Sequence, residues 1–272
     1  MDYIKAFFIG IIESFINVIP TSFSGHEKIY FYTNSYISGD NHDTLIPFIV
    51  KIACLIAIIY YFRKMYKDIL LKNMVLLFND VKGKKFNIKE VIGDKKITLI
   101  ILIASAALVI IPLFGLIFKN MTKNMLVLSI AFMISGIMML FAEKIREKEN
   151  ETISSGISIG ILKSFSVFPG FCGICGIIFA SLMNGIKKSK ILFVAYCVTS
   201  VYLLFGIAGG IIKGFVIHYN VFYYLIVFVA ALPIAYFGIK LTEIAFNNKK
   251  IKYFGIYNIV ISIMIFLIWV RG

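Results

Sequence analysis

Residues 11 to 26 read IIESFINVIPTSFSGH, a stretch greasy enough for lipid that nevertheless carries a carboxylate, hydroxyls and an imidazole. Glu13, Ser22, Ser24 and His26 are the residue types that do chemistry. A carboxylate can hold a divalent cation, a serine can attack phosphorus, and a histidine can hold or deliver a proton. Pro20 lacks an amide donor and ends a helix. The T-S-F-S-G that follows it offers hydroxyls and unpaired amides in a turn of small residues. Such a turn suits phosphate or another anion. At the centre of a bilayer a charge costs about 2.5–3.5 kcal/mol, so a residue like Glu13 is expected to face a cavity and to matter for function. It is expected to carry its charge only beside a cation, either a bound metal or Lys163.

The rest of the chain must hold these groups in a membrane. Of 272 residues, 60% are hydrophobic and 15% charged, with mean hydropathy +0.91, which excludes an ordinary soluble domain. Apolar runs at 43–62, 97–118, 124–142, 190–212, 216–239 and 254–270 each come near the roughly 20 residues that cross hydrocarbon. Strand-type alternation is not sustained, which argues against a barrel. The expectation is an all-α polytopic protein, one integral membrane domain over 1–272. No small-residue cleavage site follows the first apolar stretch, so the N-terminal segment is expected to belong to the mature fold.

The net charge of +14 is placed for orientation, not for nucleic acid. Ten Lys/Arg lie between Arg63 and Lys96; others cluster at Lys144, Arg146 and Lys148, at Lys187, Lys188 and Lys190, and at Lys240, Lys249, Lys250 and Lys252. The intervening loops hold only Lys28, Lys119, Lys123 and Lys213. The positive-inside rule makes the basic clusters cytoplasmic, with some attraction to anionic membrane lipid. Residues 63–96, where apolar and basic residues alternate, are expected to form an amphipathic cytoplasmic loop helix.

The chain also repeats itself. I-G-I-I-E-S-F-I-N-V-I-P at 9–20 returns as I-G-I-L-K-S-F-S-V-F-P at 159–169, with one residue deleted. Gly10 pairs with Gly160, Ser14 with Ser164 and Pro20 with Pro169, and Lys163 stands opposite Glu13. Halves of about 1–145 and 153–272 follow. Counting spans, 27–42 falls outside, while 157–183 lies between two inner loops. Two half-helices that dip in and return satisfy both constraints, broken at the prolines. The copies then enter from opposite faces, an inverted-topology repeat with two re-entrant hairpins and a polar site near the midplane.

The four cysteines, Cys54, Cys172, Cys175 and Cys197, lie in apolar surroundings. C-G-I-C at 172–175 has the spacing of a redox dithiol, but no βαβ pattern surrounds it, and small thiols fill buried helix contacts. His42, His218, Asp40 and Asp43 fall at loop or span ends, where a polar loop explains them.

E-S-F-I-N-V-I-P-T-S-F-S-G-H resembles, without a gap, the E-G-x-x-E-F-x-P-V-S-S-T-G-H motif of the undecaprenyl-diphosphatase (bacitracin-resistance) family. P-G-F-C-G-I-C at 169–175 resembles that family's P-G-F-S-R-S-G, and F-G-I-Y-N at 254–258 its aromatic-x-x-Tyr-Arg feature. The resemblance implies a plasma-membrane hydrolase that removes the terminal phosphate of undecaprenyl diphosphate at the outer face, recycling the carrier lipid of cell-wall (peptidoglycan) synthesis. It implies catalytic roles for Glu13, Ser22, Ser24 and His26. Substrate binding would fall to Asn17, Thr21, Gly25, Gly170, Cys172, Gly173 and Lys163. Mg²⁺ or Ca²⁺ would be held by Glu13 and Asn17. The partners implied are a polyprenyl diphosphate and membrane lipid, with a homodimer as one assembly. This chain departs from the motifs at Phe23, where the family has its second serine, at Asn17 for an acid, and at Gly173 and Asn258 for arginines. Lys51 and Lys163 are the lysines that interrupt apolar runs, and either could supply a lost positive charge; an ion pair between Glu13 and Lys163 is the structural alternative. A non-catalytic polyprenyl-phosphate binder or transporter of the same fold remains the rival function, and a membrane dithiol oxidoreductase a distant one.

Overall fold

The computed structural model describes residues 2–34, 43–71, 92–110, 124–145 and 151–271, and those residues are helical apart from short connections and breaks. Among the described residues, ten helices carry the fold. The first half holds α1 (Asp2–Val18), α2 (Phe23–Asn34), α3 (Leu45–Tyr61), α4 (Ile92–Ala107) and α5 (Met125–Ala142). The second holds α6 (Ser155–Ser164), α7 (Gly173–Met183), α8 (Lys188–Lys213), α9 (Val221–Asn247) and α10 (Lys252–Arg271). Helices are what apolar segments of this length form in lipid, because each backbone donor and acceptor is satisfied within the segment. Polar residues start them. Asn124 accepts the Leu126 amide at 2.8 Å, Asn220 the Tyr223 amide at 3.0 Å, and Asp43 the Leu45 amide at 2.8 Å.

Four of these helices, α5, α8, α9 and α10, are long and apolar enough to cross a membrane. Helix α3 meets the same length and composition only together with the segment Arg63–Ile69, to which it is bent by 71°. That segment begins the expected amphipathic loop. It turns back into the protein: the Thr98 hydroxyl donates to the Ile69 carbonyl at 3.1 Å, and the Tyr66 and Ser200 hydroxyls are 3.1 Å apart. The remainder of that loop, 72–91, lies outside the described residues, as does His42. Two boundaries differ from the sequence expectation. Helix α9 runs on to Asn247 instead of stopping near 239, and the expected outer loop at 27–42 is helical through Asn34, where α2 forms the second arm of a hairpin.

The halves pack reciprocally. The first helix of each lies along the fourth helix of the other, α1 with α9 and α6 with α4, and the two fifth helices lie together. The α5–α10 contact fixes the symmetry. Ser129 donates to the Ser262 carbonyl at 2.9 Å while Ser262 donates to the Ser129 carbonyl at 2.7 Å. Two turns along α5, a methyl on Gly136 would stand 2.7 Å from the Gly255 carbonyl, and one on Gly255 would stand 2.8 Å from the Gly136 carbonyl. Moving forward along one helix therefore moves backward along the other. A two-fold axis that exchanges these antiparallel helices lies perpendicular to them, which is the relation an inverted repeat requires.

Both proline-marked breaks are hairpins. At the close of the second, Asn184 donates to the Ser158 hydroxyl at 2.9 Å, so α7 returns to the level at which α6 began. That level is also the basic face: Glu143, Lys144, Lys188 and Lys249 line one cleft there, of about 340 Å³. On the opposite face Asn220 meets the Tyr3 hydroxyl at 2.9 Å, and Asp43 meets Tyr224 at 2.5 Å and the His218 amide at 3.2 Å. Helix α1 enters from that side, and the chain is back there at Asp43. Asp43 is thereby spent on capping and cross-linking.

Candidate functional site

Breaking a helix inside a membrane protein frees carbonyls that must find donors. In the first break, side chains from four other elements supply them. Tyr196 donates to the Val18 carbonyl at 2.7 Å. The Pro20 carbonyl receives Asn258 Nδ2 at 3.1 Å and the Cys175 thiol at 3.3 Å. Thr21 donates to Asn258 Oδ1 at 2.8 Å, so the Asn258 amide is used at both ends. The Ser22 carbonyl takes His26 Nδ1 at 2.7 Å.

The second break is held from the first half in the same way. Ser135 accepts the Cys172 amide at 2.8 Å and donates to the Ala131 carbonyl at 2.9 Å, with the Gly170 carbonyl at 3.4 Å. The Cys172 sulfur then accepts the Cys175 amide at 3.2 Å and starts α7. All four cysteines are free and buried. Here the dithiol spacing serves helix capping and inter-repeat contact.

The two breaks meet at Ser22. Its Oγ accepts the Gly25 amide at 3.2 Å and the Gly170 amide at 3.0 Å, and lies 3.4 Å from the Ser24 hydroxyl. The approach needs two glycines. A methyl on Gly25 would come within 2.8 Å of the Gly170 Cα, and Gly170 itself has φ +95°, with a methyl there 2.4 Å from the Leu128 carbonyl. Ser22 is 2% exposed, whereas Ser24 is only partly buried.

His26 has an assignable tautomer. A carbonyl can only accept, so Nδ1 carries the proton given to the Ser22 carbonyl. Nε2 is then left to accept from the Tyr257 hydroxyl at 2.7 Å. The two rings are nearly parallel, with centroids 5.7 Å apart, and Phe132 closes one edge of the imidazole. Tyr257 is 41% exposed, so the pair runs from the break to the protein surface.

Glu13, on α1, is partly buried, and one carboxylate oxygen, Oε2, is buried without a hydrogen-bond partner. The positive group acting on it is Lys51, while Glu27 and Asp43 act against it. Asn17 donates to the Glu13 carbonyl at 3.1 Å, one turn along the same helix. Among the described residues no three His, Cys, Asp or Glu side chains gather as a metal cage. An orphaned buried carboxylate oxygen nevertheless fits a hard cation that takes its other oxygens from a ligand.

Lys163 is not the partner of Glu13. Its ammonium lies 4.2 Å from the centre of the Tyr202 ring, and a methyl on Gly173 would stand 2.5 Å from it. Gly173 is thus the seat of Lys163. The motif reading picked out the residues of both breaks, but its site omitted Tyr257, Asn258, Ser135 and Tyr196. The signal for the middle two was present: each is a polar residue inside an apolar helix, and both are 0% exposed.

Comparison with known proteins gives one consistent picture. The family model described as "Bacitracin resistance protein BacA" matches residues 6–264. An undecaprenyl-diphosphatase of Acholeplasma laidlawii is 26% identical over 215 aligned positions, covering 74% of this chain and 75% of that protein. One from Buchnera aphidicola is 25% identical, covering 97% of both chains, and one from Neisseria gonorrhoeae is 20% identical, covering 100% of this chain and 98% of the relative.

Proposed function

Because the chain belongs to the bacitracin-resistance BacA family, we propose that it is a membrane diphosphatase that removes the terminal phosphate of undecaprenyl diphosphate or a similar polyprenyl diphosphate. The observation that carries the reading is the bond from the Gly170 amide to Ser22. It brings the serine-rich turn of one repeat onto the break of the other, so hydroxyls, amides and an imidazole converge inside the membrane.

The roles follow from what each atom already does. Ser22 Oγ takes two amides and is 2% exposed, which makes it the pin of the site. Ser24, partly open and with no amide to accept, is the hydroxyl that attacks the terminal phosphorus or aims the attacking water. As the new P–O bond forms, the bond to the bridging oxygen breaks and the polyprenyl monophosphate leaves; where Ser24 itself attacks, it loses its proton to His26, and water then cleaves the phosphoserine to release phosphate and restore the hydroxyl. His26 and Tyr257 carry the proton between the break and the surface. Glu13, with Asn17 beside it, would hold Mg²⁺ or Ca²⁺ against the diphosphate; when bound, that cation supplies charge neutralisation. The basic cleft face, with Lys144, Lys188 and Lys249, is cytoplasmic by the positive-inside rule, so the α1–α2 hairpin opens to the outer face.

One observation favours a second reading, a transporter of lipid phosphate: the antiparallel two-fold contact at Gly136 and Gly255 is the architecture of alternating access. Phosphate release from C55 diphosphate by purified protein in detergent, with and without divalent metal, separates the two. Release supports the diphosphatase. Translocation in vesicles without release supports the transporter.

A further inference from the structure

Among the described residues, Lys249 is the one non-glycine residue with a positive φ, +55°. It stands just past the end of α9, where the Lys250 amide donates to the Ala245 carbonyl at 2.7 Å and the Lys249 amide to the Phe246 carbonyl at 3.3 Å. That pair of bonds is the left-handed close of a helix, and glycine is the residue that makes it without strain. A lysine here carries a backbone cost that glycine would remove, so the side chain is the place to look for its use.

Lys249 lines the cleft of about 340 Å³ on the basic face. Three lysines reach that cleft from three helix ends: Lys144 after α5, Lys188 at the start of α8, and Lys249 after α9. The first belongs to one half of the chain and the other two to the second. Beneath them the cleft is apolar, with Phe246 and Ile251 buried and Leu182 half-buried. The Lys188 ammonium lies 5.7 Å from the centre of the Phe246 ring, and that of Lys144 lies 5.5 Å from Phe141. Glu143, the carboxylate among the lining residues, is engaged elsewhere: it accepts the Lys252 amide at 2.9 Å, at the start of α10. Positive charge is in excess in the cleft, and an anion complements it.

An apolar track leads to the lysines. Ile130, Ile134, Ile137 and Phe141 share one face of α5 at helical spacing, each 41% to 54% exposed, and Lys144 comes at the next step. Ile130 and Ile134 also wall an apolar groove of about 310 Å³ against Leu162, Phe165 and Phe168 of the second hairpin. From Lys144 back to Ile130 is about 21 Å along the helix, enough to run the depth of one leaflet, half of a hydrocarbon core of roughly 30 Å. A ligand that joins a phosphate to a long hydrocarbon chain matches the lysines and the track together. A free phosphate matches the lysines alone.

We propose that this cleft seats one anionic phospholipid of the cytoplasmic leaflet, with the headgroup phosphate among Lys144, Lys188 and Lys249 and an acyl chain along α5. The seat does not rest on the diphosphatase reading, since it lies on the face opposite the opening of the α1–α2 hairpin. It differs from a diffuse attraction of lysine clusters to lipid, because three positions matter and their basic neighbours do not. A lipid held there ties the end of α5, in the first half, to the ends of α8 and α9 in the second.

The test is lipid titration of the full-length protein in detergent, read by native mass spectrometry, with phosphatidylglycerol, phosphatidylcholine and sn-glycerol 3-phosphate as probes. Wild type should retain phosphatidylglycerol in preference to the other two. Each of Lys144→Gln, Lys188→Gln and Lys249→Gln should weaken that binding about fivefold, and the three together roughly a hundredfold. A control with the same loss of charge, Lys187→Gln with Lys190→Gln and Lys250→Gln, should bind as wild type does. Lys249→Gly guards against misfolding. It relieves the positive φ, so without lipid it should melt at or above the wild-type temperature, yet it should lose the same affinity as Lys249→Gln. Equal losses in the two triple variants would overturn the seat in favour of diffuse attraction. Equal retention of phosphatidylcholine, or unchanged lipid binding in Lys249→Gly, would overturn it too. Glycerol 3-phosphate bound as tightly as phosphatidylglycerol would make the ligand a soluble phosphate and defeat the lipid assignment.

Discussion

Ser22 and Gly170 stand 148 positions apart in the chain and share a hydrogen bond of 3.0 Å. That bond is made at the point where each half has given up its own helix, so two interruptions that would be separately costly satisfy each other. Ser22→Ala leaves the amides of Gly25 and Gly170 without an acceptor, at roughly 1–3 kcal/mol for each buried group. Thermal unfolding in detergent should show a clear loss of stability. Ser24→Ala, which strands no amide, should keep the wild-type transition; a reversal of that order would mean that the pin and the reactive hydroxyl have been exchanged.

The crossing of α5 and α10 predicts a steric penalty. Gly255→Ala would place its methyl 2.8 Å from the Gly136 carbonyl, a backbone atom that cannot rotate away. Overpacking of this kind costs roughly 1–3 kcal/mol. Ser262→Ala on the same helix removes one interhelical hydrogen bond and should cost less, about 0.6 kcal/mol. Equal effects in an unfolding assay would argue that the helices are not in this close contact.

Topology can be read by labelling. In a background with all four native cysteines replaced, Ser189→Cys and Lys213→Cys should react with a membrane-impermeant thiol reagent from opposite sides. Both positions are exposed, and α8 runs between them. A cysteine at Lys249 should label with Ser189→Cys, since Lys188 and Lys249 line the same cleft. Labelling of 189 and 249 from different sides would mean that α8 and α9 do not both cross.

Much of this was legible in the residues, for identifiable reasons. Pro20 and Pro169 announced the breaks because proline cannot continue a helix, and the repeated Gly, Ser-Phe and Pro tied the two together. The lysine clusters announced one face, and 143–145, 182–188 and 246–251 do lie along it. What stayed hidden was pairing across the repeats. Glu13 faced Lys163 in the repeat alignment, yet lies under the influence of Lys51, because alignment relates equivalent positions and not neighbouring ones. Asn258 looked like a lost arginine; in the structure it closes the first break from α10. Nor could the sequence show that Gly173 is vacant so that Lys163 can fill it.

The proposed cation at Glu13 has a readout apart from turnover. At about 100 times its dissociation constant, a bound ion stabilises the folded protein by about 2.7 kcal/mol. Ca²⁺ or Mg²⁺, with a polyprenyl diphosphate present, should therefore raise the melting temperature of wild type, and a chelator should reverse it. Glu13→Gln removes the orphaned carboxylate oxygen and should abolish the shift. A shift that persists in Glu13→Gln would move the cation elsewhere.

The most direct measurement compares phosphate release from C55 diphosphate by wild type and by Ser24→Ala, with lipid binding followed in the same samples. Wild type should liberate phosphate above the protein-free rate, while Ser24→Ala binds the lipid with similar affinity and releases at least a hundredfold more slowly. Binding by wild type without release, or full release by Ser24→Ala, would contradict a serine-centred diphosphatase at the junction of the two broken helices.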